Sequence, residues 1–101
     1  MYKHVVLWKL NSEFAELEKE NIAIEVKKRL DSLPSIIPEI ESYEVGINLG
    51  SYEASFFDVS LISSFIDEQS FKTYCVYPEH DEVVAYIQTV CEAEEIVDYI
   101  I

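Results

Sequence analysis

Glycine occurs only twice in this 101-residue chain, at Gly46 and Gly50. A phosphate-cradling loop or a dinucleotide-binding turn needs several closely spaced glycines, so neither is present and no cofactor is expected. Cysteine is as scarce. Cys75 and Cys91 form neither a disulfide framework nor a zinc-ligand spacing, and they read as half-buried thiols in a reducing compartment. Seven basic residues face twenty acids, for a formal net charge of −13 at pH 7. That surface repels a phosphate backbone and an anionic bilayer alike, so neither nucleic acid nor membrane is an expected partner. Six of the seven basic residues lie in the first 29 positions, and the Lys27-Lys28-Arg29 cluster reads as a solvated helix end. No apolar run approaches the roughly 20 residues of a membrane span. Because the N-terminus runs straight into His4-Val5-Val6-Leu7-Trp8, no leader peptide is expected. The expectation is a cytoplasmic protein with a single domain over residues 1–101.

Half of the residues are hydrophobic, ample for one core, and their spacing changes along the chain. Residues 3–10 alternate as a strand, with His4, Val6, Trp8 and Leu10 on one face and Lys3, Val5, Leu7 and Lys9 on the other. Asn11 or Ser12 supplies an N-cap for a helix over 13–33, where Ile22, Val26, Leu30 and Leu33 recur at helical spacing. Pro34 and Pro38 end it. Residues 40–49 and 55–65 alternate as two further strands, close enough in sequence to pair antiparallel. Asp67 caps a short helix over 68–76, Pro78 starts another over 78–93, and 95–101 closes the chain as a strand.

The order β-α-β-β-α-β is the ferredoxin-like, α+β pattern: a four-stranded antiparallel sheet with helices on one face. The other face carries Val5 and Leu7 together with apolar groups of the other strands. An apolar face of that size does not stay in water, and a second copy is its simplest cover, so a homodimer is expected.

Several stretches then match one family in the right order. The opening "YKHVVLWKL", the helix end and second strand "LDSLPSIIPEIESYEVGINL", the third strand "FFDVSLISSF", the segment "YCVYPEHDEVVAYI" and the closing "IVDYI" together resemble the stress-responsive dimeric A/B-barrel (Dabb) family. The resemblance implies two ferredoxin-like chains packed as a dimeric α+β barrel. It departs at Tyr77, where the family often has histidine. The family includes plant polyketide cyclases, olivetolic acid cyclase among them, that use a tyrosine and a histidine of this segment. Their positions fall on Tyr74 and His80, and a first-strand histidine falls on His4. Some plant relatives also hold magnesium through backbone carbonyls, which would be those of Pro34, Ile37 and Ile40.

The residues themselves allow that chemistry without requiring it. Pro78 places His80 in the first turn of a helix, whose positive end favours neutral imidazole, while Glu79, Asp81 and Glu82 favour the cation. A phenol at Tyr74, folded back by the Pro78 turn, would stabilise an enolate while His80 removes a proton. The plain alternatives are a solvated His80, a core-edge Tyr74 and a satisfied, half-buried His4. Glu79, His80, Asp81 and Glu82 splay around the helix and do not converge on a metal. The expected ligand pocket lies between sheet and helices, lined by Val6, Trp8, Val26, Leu30, Leu61, Val83 and Val84. Two functions compete: a Dabb-type homodimer that binds a small apolar or aromatic ligand, and a cofactor-free cyclase or isomerase using a His/Tyr acid–base pair. A purely structural oligomer is a third.

Overall fold

The computed structural model describes residues 1–101. Strand β1 (Tyr2–Leu10) leads to helix α1 (Glu16–Asp31), strands β2 (Ile40–Ile47) and β3 (Val59–Phe65), helices α2 (Glu68–Cys75) and α3 (Pro78–Val90), and strand β4 (Cys91–Ile100). The strands form one sheet in the order β2-β3-β1-β4, every neighbouring pair antiparallel. This is the expected ferredoxin-like fold.

Alternation places Val6, Trp8 and Leu10 of β1 against the helices, together with Val59, Leu61 and Phe65 of β3, all buried. Val26 and Leu30 of α1, Tyr74 of α2 and Ile87 of α3 close the core from above. Burying a side chain of this size stabilises the fold by about 1.5–3 kcal/mol. On the reverse face no helix lies across Leu7, Ile62, Val97 and Tyr99, which stay 39%, 40%, 55% and 44% exposed. Val5 sits between Ile62 and Val97 in the ladder, so these groups form one apolar strip.

The largest departures from the sequence reading fall at three places, each with its own cause in the packing. Helix α1 starts at Glu16 rather than residue 13. Asn11 turns its side-chain oxygen onto the Glu13 amide at 2.9 Å, making an Asx turn, and the Ser12 amide donates to Glu92 of β4. Strand β3 starts at Val59 rather than residue 55. The aromatic residues before it pack within the loop: Phe56 meets Tyr52 edge-on at 5.0 Å. Phe56 also approaches Gly50 so closely that a Cβ there would lie 2.5 Å from its ring. Finally, α3 stops at Val90 and β4 begins at Cys91 with no intervening loop, because Cys91 is already extended and pairs with Leu10.

Candidate functional site

A cavity of about 320 Å³ lies between the sheet and helices α1–α3, walled by β1, β3 and β4 below. Eleven of its fifteen lining residues are hydrophobic. His4, Tyr74 and His80 all line it, as do Val6, Trp8, Leu30, Leu61, Val83 and Val84. Val26 does not reach the cavity, being fully buried in the core.

His4 enters from β1 because its strand position faces the helices. Its Nδ1 lies 2.6 Å from Asp98 Oδ1, and Asp98 is its cross-strand partner on β4. A carboxylate only accepts, so Nδ1 carries the proton and Nε2 is the nitrogen left for a ligand. The other oxygen of Asp98 accepts from the Tyr2 hydroxyl at 2.8 Å. Burial, then that hydrogen bond, pushes the Tyr2 phenol up to about 12. The Phe71 ring packs on His4 at 4.7 Å and covers it from α2. Beneath it, Ser63 Oγ donates to the His4 carbonyl at 2.8 Å.

His80 comes from the first turn of α3, which Pro78 opens as expected. Its Nδ1 is enclosed and has no hydrogen-bond partner; Asp81 Oδ1 is 3.8 Å away. Burial holds the imidazole below its ordinary value of 6.5, more strongly than Asp81 and the Cys75 backbone raise it. Desolvation therefore decides between the opposing influences at this helix start, and it favours the neutral ring.

Tyr74 lies beside His80, ring centroids 4.5 Å apart. The turn at Pro78 thus brings the two rings together, yet the Tyr74 hydroxyl does not bond His80. It pairs with the Tyr43 hydroxyl at 2.8 Å. Burial raises both phenols, Tyr74 to about 12 and Tyr43 further.

At the far end of the cavity the Trp8 indole donates to Glu94 Oε2 at 2.7 Å. Asp98, Glu94, Phe71, Cys75, Ile87 and Ile96 are lining residues that sequence reasoning missed. Their alternation with Glu95, Val97 and Tyr99 along β4 was the available signal for the two acids.

Of the carbonyls considered for a cation, that of Ile37 accepts the Ile40 amide at 3.3 Å. No group of three His, Cys, Asp or Glu side chains is placed to hold a metal ion. Three neutral oxygens without a carboxylate make a weak donor set for a hard cation. The Lys27-Lys28-Arg29 cluster is largely engaged: Lys27 bonds Asp31 at 3.0 Å, while Arg29 bonds Glu25 at 3.3 Å and lies over the Tyr86 ring.

No curated protein sequence matches the chain. Solved structures do. A dimeric ferredoxin-like protein of unknown function from Bacteroides fragilis is 29% identical, with a TM-score of 0.89 over 99% of this chain and 95% of that one. A second such dimeric protein, from Thermobifida fusca, is 24% identical, with a TM-score of 0.82 over 99% and 90%. The hydroxynitrile lyase of Passiflora edulis shares the fold at 22% identity, with a TM-score of 0.77 over 99% and 92%. The family model described as the stress responsive A/B barrel domain matches residues 2–101, and the chain belongs to that family.

Proposed function

We propose that this protein is a cytoplasmic homodimer that binds a small, largely apolar carbonyl compound between sheet and helices and moves a proton on it without a cofactor. The observation that carries the reading is that two imidazoles, one braced by a carboxylate and one kept neutral by burial, line the same apolar cavity. His80 presents Nε2 as the base that removes a proton beside the carbonyl. The proton His80 takes passes on to the enolate oxygen, and His4, its Nδ1 proton held by Asp98, accepts a hydrogen bond at Nε2 from the enol hydroxyl so formed. Tyr74 holds the His80 ring in place, and the apolar walls keep water from quenching the enolate. Dimerisation through the strip around Val5 covers the open sheet face.

The test is exchange of ketone α-protons in deuterated water, followed by NMR with a phenyl-substituted butanone. The protein should accelerate exchange. His80→Ala should lower the rate at least about 100-fold, as expected for loss of a general base, and His4→Ala should lower it too. A bound ketone that exchanges only at the buffer rate would exclude proton transfer and leave a ligand-binding protein. The Tyr74–Tyr43 pairing favours that second reading, because it occupies the one phenol that lines the cavity.

A further inference from the structure

The cavity has two polar ends. His4, Asp98, Tyr74 and His80 make one. Trp8 and Glu94 make the other, four residues along β1, which is about 13 Å at the usual strand rise. The wall between them is apolar. Its formal charges are unbalanced: Asp98 and Glu94 are acidic, and no lysine or arginine lines the cavity. Of the basic groups next in sequence to lining residues, Lys9 turns toward Glu92, Arg29 toward Tyr86 and Glu25 and Lys72 toward Glu68, while Lys3 alternates onto the opposite face of β1 from His4. Asp98 already has two donors, Tyr2 and His4. Glu94 has one: its Oε2 accepts from the Trp8 indole, and its Oε1 has no hydrogen-bond partner. Trp8 is 5% exposed, so the bond to its indole also fixes where that carboxylate stands.

We propose that Glu94 selects the ligand: the compound taken here is neutral or cationic, and at the end away from the carbonyl it carries a hydroxyl or ammonium that donates to Glu94 Oε1. This inference rests on the reading that the cavity holds a small carbonyl compound with that carbonyl near the histidines. A carboxylate or phosphate at the distal end is rejected, because it would face Glu94 with no cation to offset it. Glu94 lies at the rim, so both the preference and the rejection weaken as salt rises.

The experiment measures binding of four phenyl-substituted butanones to the full chain by calorimetry. They differ only in the para substituent: hydrogen, hydroxyl, aminomethyl or carboxylate. The hydroxyl and aminomethyl compounds should bind about three- to tenfold more tightly than the unsubstituted one, and the carboxylate more weakly by a similar factor. In Glu94→Gln, which keeps an oxygen for the Trp8 indole, the penalty on the carboxylate and the advantage of the ammonium should vanish. Equal affinity for all four in the wild type, or the tightest binding by the carboxylate, overturns the inference and leaves the cavity's role standing. An unchanged ranking in Glu94→Gln also overturns it. If none of the four binds, the carbonyl-compound reading falls and this inference falls with it.

Discussion

Asp98 joins two groups on β1, and replacing it with asparagine removes half of what it does. The carboxylate accepts from His4 Nδ1 at 2.6 Å and from the Tyr2 hydroxyl at 2.8 Å, and its side chain is 28% exposed. The amide of asparagine offers one oxygen. One donor keeps a weaker partner and the other faces an NH2 group. Losing one hydrogen bond to a charged acceptor and weakening the second should cost about 0.5–1.5 kcal/mol at a site this open to solvent. For 101 residues the unfolding entropy is roughly 0.2 kcal/mol per degree, so Asp98→Asn should melt about 2–8 °C below the wild type. The chemical consequence is separable from the thermal one. Long-range nitrogen NMR of the neutral His4 ring should show Nε2 without a proton in the wild type. In Asp98→Asn it should show a mixture of tautomers, and the rate of ketone exchange should fall with it. Tyr2→Phe removes one donor and leaves the His4 bond, so it should lower stability by less and keep the tautomer. A wild-type spectrum with the proton on Nε2 would refute the assignment of His4 outright.

Other outcomes follow from the same geometry. Burial lowers His80 from 6.5, so as pH falls below that value the unfolded chain takes up the proton first. Stability should then drop by at most about 1.4 kcal/mol per pH unit toward the folded-state value. Urea unfolding at neutral and acidic pH should show that loss, and His80→Gln should lessen it. Tyr43→Phe and Tyr74→Phe each strand a buried phenol and should cost about 1–3 kcal/mol, while the double variant should cost clearly less than their sum. A strictly additive double variant would mean that the bond contributes nothing. On the open face, covering the exposed parts of Leu7, Ile62 and Val97 is worth about 2–4 kcal/mol per protomer. Val97→Asp should therefore shift the protein toward monomer in sedimentation at micromolar concentration. A wild-type monomer would end the proposal that a second copy covers this strip.

The fold was largely readable because its signal is local. Val6, Trp8 and Leu10 are buried while Leu7 points outward, as alternation along β1 requires. Pro78 at the start of α3 and Asp67 as the cap of α2 were each legible from one residue type. The errors arose where side-chain partners, far or near, override the residue's own propensity. Asn11 and Ser12 have the chemistry of an N-cap, but Glu92, eighty positions further on, holds the Ser12 amide in a turn. Phe56 has strand propensity and packs instead on its own loop. Within the site, His4, Tyr74 and His80 could be named from the sequence. Asp98 and Glu94 were not, because alternation along β4 was their only signal and a closing strand read from residue 95 leaves Glu94 outside it. Only the β1–β4 register turns them toward His4 and Trp8.

That register has a consequence for how the chain assembles. A strand that slips by two residues keeps its faces, so apolar contacts alone discriminate poorly against the error. The pairs His4–Asp98 and Trp8–Glu94 stand directly across the ladder from each other, with the same four-residue spacing on both strands. A slip of two would set Trp8 opposite Ile96 or Glu92 and His4 opposite Ile100 or Ile96, breaking at least the histidine pair in either direction. The residues that shape the cavity thus also act as a lock and key for zipping the last strand. Variants at Asp98 and Glu94 should raise the share of chains that fold with a misaligned edge, even where the native form remains stable.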